Sequence, residues 1–201
     1  MRYAQRWGAG VCILLLLRAG AALAADPAPP GASTHAGLDR VMALLSQQQH
    51  AEADFDERQY LAVLTHPLVS SGLLIYDAPA HLEQRTLHPR RQTMVLDHGT
   101  LTVKVGRHRR SVPLADYPQL APLIDSIRAT LAGDRAALEQ YFTLQFHGGL
   151  DAWQLRLEPR EPQRAATISD IQIDGKRSQI TEVRVRQRDG DHSVLLIRPH
   201  R

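Results

Sequence analysis

The chain carries ten histidines, but none sits at ligand spacing from a carboxylate or second histidine on one helix face. His81 and His88 are seven residues apart on a strand-like stretch, so they face opposite ways. No metal site or cofactor is expected. Ser70-Ser71-Gly72 lacks the strand–Ser–helix setting of a nucleophile elbow and reads as a polar break in a hairpin. Asp54 and Asp56 share a strand face, as a catalytic carboxylate pair could. Arg58 continues that face, which makes a solvated charge stripe the better reading. Arg184, Arg186 and Arg188 form another such row, with contact to a phospholipid surface or an acidic partner as the alternative. No glycine-rich phosphate loop is present. No residue set here supports catalysis, so no enzyme is expected.

Residues 1–24 have the form of a cleavable signal peptide: Arg2 and Arg6, the apolar run Gly10–Leu17, then "ALA" at 22–24. The run is too short to span a bilayer as a helix; an uncleaved N-terminal anchor is the alternative. Cleavage takes away Arg2, Arg6 and Arg18, so 24 basic residues become 21, matching the 21 acidic ones. A neutral mature chain gives nucleic-acid binding no electrostatic support. Cys12, the single cysteine, also leaves, and with it any disulfide or thiol chemistry. The product reads as a soluble protein exported from a bacterial cytoplasm, with the periplasm as its location.

Residues 25–33 read as a Pro/Ala/Gly linker, and 34–201 as a single domain. Thr34 is expected to cap a helix bearing Leu38, Val41, Met42 and Leu45 at helical spacing. From Ala53 the period becomes two, with Phe55, Glu57, Gln59, Leu61 and Val63 on one strand face. Strands are expected around 72–77, 82–87, 93–97, 101–105 and 107–112, with a turn at His98-Gly99. Asp116 and Gln119 have capping-box spacing ahead of a helix whose apolar stripe is Leu120, Ile124, Ile127 and Leu131. Gly133 should stop that helix and Asp134 cap a shorter one. Five more strands follow, with hairpin turns expected at "IDGK" (173–176) and "RDGD" (188–191). About eleven strands without a βαβ rhythm indicate α+β architecture with an antiparallel sheet.

One stretch breaks the alternation. In "SSGLLIYDAP" (70–79), Leu73, Leu74, Ile75 and Tyr76 are apolar on both faces. Together with "FDERQ" (55–59) and "AHLEQ" (80–84), it resembles the outer-membrane lipoprotein carrier family, LolA. The family has a Phe-x-Gln strand, then Ser-Gly-x-Leu-x-apolar, a proline and a third strand. Segments 117–134, 151–159 and 171–191 are similar to a divergent LolA-like branch, so the resemblance covers nearly all of the mature chain.

The resemblance implies a strongly curved antiparallel half-barrel with a helical lid over an apolar concave face. It implies a carrier that takes acylated lipoproteins, or a related acylated lipid, from an inner-membrane exporter to an outer-membrane acceptor. Phe55, Leu74, Tyr76 and Leu82 would face the cavity, joined by Leu61, Trp153 and Leu155. Ile124, Ile127 and Leu131 would form the underside of the lid, or else be ordinary core. Leu73 and Ile75 would point away, under a loop or the first helix. Better-known members latch the lid with an inward Arg on the third strand. Here Glu83 holds that place, so Glu57 or Glu83 is expected to pair with Arg85 beside the cavity. A monomer is expected. The competing readings are a lipoprotein- or lipid-sensing regulatory module of the same fold and a periplasmic acyl-ester hydrolase. The hydrolase would need a nucleophile beside a base.

Overall fold

The computed structural model of the chain describes residues 32–117, 121–161 and 168–200. Helix α1 (Ala32–Leu45) leads into six strands: β1 (His50–Tyr60), β2 (Leu68–Asp77), β3 (His81–His88), β4 (Gln92–Asp97), β5 (Thr100–Val105) and β6 (His108–Pro113). A 3-10 turn at Leu114–Asp116 precedes α2 (Ala121–Leu131) and α3 (Arg135–Tyr141). The remaining strands are β7 (Phe142–Gly149), β8 (Ala152–Pro159), β9 (Ile168–Lys176), β10 (Gln179–Gln187) and β11 (His192–Pro199). All eleven strands form one open, curled antiparallel sheet in the order β6-β5-β4-β3-β2-β1-β11-β10-β9-β8-β7. The architecture is that of the LolA-like half-barrel.

This order dictates where the helices go. β6 and β7 follow one another in sequence yet form the two outer edges of the sheet. Neighbouring strands lie about 4.8 Å apart, so the chain must cross the whole width of the sheet to link them. It does so through α2 and α3. A connection of that kind has to lie over one face, and the apolar concave face is where its own apolar stripe can be buried.

Cross-strand pairing fixes the faces, because directly opposed residues project to the same side. Phe55 pairs with Gly72 and Ile197; Leu74 pairs with Ala53 and Gln84; Tyr76 pairs with Ala51 and Leu82. The same row runs through Leu195, Val183, Ile173, Leu155 and Phe146 on the other half of the sheet. These are the concave-face positions. α1 covers one half of them: Leu38, Val41, Met42 and Leu45 join Leu138, Phe146, Leu155, Ile171 and Ile173 in a single buried cluster. Each such side chain contributes about 1.5–3 kcal/mol when fully buried.

Several local readings are met. His98 and Gly99 both have positive φ (45° and 75°), the signature of a type I′ hairpin turn. Gly133, at φ 65°, ends α2, and a Cβ there would lie 2.1 Å from the Met42 carbonyl oxygen. The Asp134 side chain accepts a hydrogen bond from the Ala137 amide at 3.0 Å and so caps α3.

Others are corrected. α1 begins at Ala32, so Thr34 lies within the helix instead of capping it. β1 ends at Tyr60, which puts Leu61 and Val63 beyond the strand. The turn expected at "IDGK" falls later, at Arg177-Ser178, and Gly175 is a strand residue paired with Trp153 and Ile180. Asp116 is in the 3-10 turn, while Gln119 and Leu120, like residues 1–31, lie outside the described residues. α1 covers the concave face, not the side of Leu73 and Ile75.

Candidate functional site

A cavity of about 480 Å³ lies between the concave face and the helices. From the sheet, its wall takes Leu74 and Tyr76 of β2, Leu82 of β3, and Met94 and Leu96 of β4. Val183, Leu195 and Ile197 close it on the other side of β1. Leu45 at the end of α1 and Leu123, Ile124, Ile127 and Leu131 of α2 form the roof. The volume is within the roughly 300–1,000 Å³ of ordinary ligand pockets. Its polar wall residues include Gln48 and Ser178, joined by a hydrogen bond of 2.9 Å near the strand ends, with His50, Glu52, Gln179 and Thr181, and Glu83 and Gln84 further along β3, where Gln84 stands opposite Leu74. Burial pushes the Tyr76 phenol above its ordinary pKa, so the hydroxyl stays neutral.

The roof is made for apolar contact by spacing alone. Ile124, Ile127 and Leu131 recur at three and four residues, on one face of α2. They are only half-buried, whereas Leu123 and Ala129 beside them are buried. Thr130, also in the wall, has its hydroxyl donated to the Ser126 carbonyl at 2.7 Å, which takes its polarity out of the cavity. α2 packs against α3 and α1, and the cavity separates it from β2 and β3.

Leu74, Tyr76, Leu82, Ile124, Ile127 and Leu131 thus come together around one space. Glu83 also borders it, but the remaining sequence candidates do not. Phe55 is on the concave face but is 1% exposed and outside the wall. Trp153 and Leu155 belong to the packed core under α1. Leu61 lies past the end of β1, at the opposite end of the strands. Glu57 accepts hydrogen bonds from Gln59 and Ser70, at 3.0 and 3.1 Å, and does not meet Arg85.

Glu83 and Arg85 do pair, at 2.6 and 3.2 Å, and Glu83 borders the cavity while Arg85 does not. Glu83 stands opposite Ile75 and Arg85 opposite Leu73, the face away from Leu74 and Tyr76. Ile75 is buried there between Glu52 and Glu83 in the ladder. Of the arginine row, Arg184 and Arg186 lie on this convex face too, while Arg188 falls in the β10–β11 turn. Arg184 pairs with Glu182 and Asp174, and Arg186 lies 3.8 Å from the buried Asp170.

Sequence reasoning missed Leu45, Met94, Leu96, Leu195 and Ile197 as wall residues. For Leu195 and Ile197 the signal was available: they hold alternate positions on β11 and pair with Glu57 and Phe55. Among the described residues no group of three His, Cys, Asp or Glu is placed to share a metal ion. No helix among them is long and apolar enough to cross a membrane.

An open curled sheet roofed by helices over an apolar cavity is the frame of an apolar-ligand binding protein. The chain belongs to the family of outer membrane lipoprotein carrier protein LolA-like proteins, whose profile matches residues 29–198. No curated protein matches it by sequence. Among solved structures it is similar to a LolA superfamily protein from Nitrosomonas europaea, at 10% identity over 84% of this chain and 94% of that chain, TM-score 0.45. It is similar to MucB at 16% identity over 85% of this chain and 58% of that chain, TM-score 0.49. It is also similar to LprF from Mycobacterium bovis at 12% identity over 84% and 92%, TM-score 0.41.

Proposed function

We propose that the protein is a periplasmic carrier that binds the acyl chains of a lipoprotein, or of a related acylated lipid, and moves them from an inner-membrane donor to an outer-membrane acceptor. The carrying observation is the apolar cavity between β2–β4 and the α2 stripe. Each methylene buried gains about 0.8 kcal/mol, so a long acyl chain gains on the order of ten kcal/mol by leaving water. A carrier must also give that chain back. The residues of α2 that face the cavity touch sheet or cargo with the same apolar side chains, so closing without cargo recovers part of the lost contact. No nucleophile is invoked: the work is binding, orientation and exclusion of water. Membership of the LolA-like family supports this reading.

The test has two stages. Protein purified from the compartment to which it is exported is extracted and its lipids identified by mass spectrometry; acylated species are expected at near-stoichiometric amount. Loaded protein is then mixed with inner- and outer-membrane vesicles. Net transfer to the outer-membrane fraction is expected. Stable binding without transfer would favour the sensing module, and an extract free of acylated lipid would remove both readings.

A further inference from the structure

The cavity occupies the half of the strands near the α1–β1 and β9–β10 connections. The other end of the sheet carries a different feature. There the β1–β2 connection, residues 61–67, is braced on three sides. Asp191 Oδ1 accepts from the Ala62 amide at 2.7 Å, the Leu64 amide donates to the Leu61 carbonyl at 2.9 Å, and the Tyr60 ring stacks on His192 with centroids 4.5 Å apart. The braced hairpin turns apolar side chains outwards. Val63 is 88% exposed, and Leu64, Leu68, Val69 and the neighbouring Leu87 are exposed as well. Single exposed aliphatics are ordinary, but here five gather at one end of the sheet, Val63 and Leu64 at the tip and Leu68 and Val69 on opposite faces of β2 behind it.

Exposed arginines gather at this end of the sheet, where Glu161 is an exposed carboxylate in the β8–β9 connection. Arg90 and Arg91 stand in the β3–β4 turn, Arg107 in the β5–β6 turn, Arg188 in the β10–β11 turn and Arg58 near the end of β1, all exposed at this same end. The carboxylates of the β10–β11 turn do not offset them at the surface. Asp189 and Asp191 are both buried, Asp189 accepting from the Asp191 amide at 2.9 Å while Asp191 holds Ala62.

We propose that this end of the sheet docks on an anionic bilayer surface, the hairpin tip entering the headgroup boundary and the arginines facing lipid phosphates. A projecting aliphatic tip suits a deformable bilayer that closes around it, with basic residues adding attraction to anionic lipid. A protein partner would need a matching pocket and would favour aromatic anchors, and none of the five exposed residues is aromatic. The cavity begins roughly 20 Å further along the strands, so docking leaves it on the aqueous side.

Flotation of the purified chain with vesicles tests this. Retention is expected on phosphatidylglycerol-containing vesicles, much less on phosphatidylcholine alone, and it should fall at high salt. The double variant Val63→Asp/Leu64→Asp should lose about tenfold or more in partitioning, and Arg90→Gln/Arg91→Gln about tenfold with a flatter salt dependence. Thermal melting checks that both variants fold; Val63→Ser serves if the double variant does not. Equal retention on neutral vesicles, or parent-like retention of both variants, would overturn the proposal and place the contact elsewhere, such as residues 10–17. Absence of flotation on every composition would also overturn it and assign the tip to a protein partner.

Discussion

Trp153 and Gly175 form one unit: a Cβ on Gly175 would lie 2.2 Å from Cζ2 of the indole, whose Nε1 donates to the Arg177 carbonyl at 2.9 Å. The ring occupies the space that a side chain at 175 would need, and its hydrogen bond fixes the β9–β10 turn. Gly175→Ala should therefore overpack the core and cost about 1–3 kcal/mol. A urea titration reads this as a lower midpoint with an unchanged slope.

Cavity wall and packed core should answer differently to substitution. Ile127 is half-buried in the roof of the cavity, while Leu155 is 1% exposed under α1. Leu155→Ala should lower stability by about 2–5 kcal/mol. Ile127→Asp should cost far less stability yet weaken uptake of a fluorescent acyl probe by about tenfold or more, since the carboxylate would share the cavity with the chain. Parallel denaturation and probe titrations separate the two; equal effects on both readouts would contradict the assignment of Ile127 to the binding space.

Arg85→Leu should leave acyl-probe binding unchanged. Arg85 stands opposite Leu73, outside the cavity wall, and is about half exposed, so the ion pair is screened by solvent. A stability change below about 1 kcal/mol is expected. A large fall in probe affinity would show that the pair communicates with the roof.

His50 should make one end of the sheet sensitive to pH. Its Nδ1 lies 2.5 Å from Asp77 Oδ1 across the β1–β2 pair. The hydrogen bond to Asp77 raises the imidazole pKa above its usual 6.5; partial desolvation opposes this, and the charges of Asp77 and Glu52 reinforce it. The bond then stabilises the fold fully below the unfolded value near 6.5 and is lost as pH rises through the higher folded value. An NMR titration of the His50 ring should place its midpoint above that of the unfolded chain. His50→Gln should remove the corresponding slope of stability in that window.

Much of the fold could be read from local pattern. Alternation within a strand has a strict period of two, so the side shared by Leu74 and Tyr76 follows from spacing once the strand is recognised, while the register with β1 adds Phe55 to it. His98-Gly99, Gly133 and Asp134 announce a turn, a helix stop and a cap because each role needs a particular backbone or side-chain chemistry. The same reasoning failed at "IDGK". A glycine two residues from a hairpin reads as its turn, yet Gly175 is small to admit an indole from β8. Nothing within a few residues of position 175 carries that information.

What the sequence determined by itself is the set of elements, their antiparallel character, the apolar side of each strand and the apolar stripe of α2. What only the tertiary structure decided is which apolar residues pack and which surround space. Leu155 and Leu74 look alike in sequence, each an inward leucine on a strand. The difference arises because β6 and β7 lie at opposite edges, so the helices must bridge a curled sheet. α1 fills the curve over β7–β9, and α2 stands off from β2–β4. Burial energy depends on what a side chain touches, and that is set by elements distant in the chain. The same holds for Val63: alternation reads it as inward, but the strand ends at Tyr60 and leaves it in water.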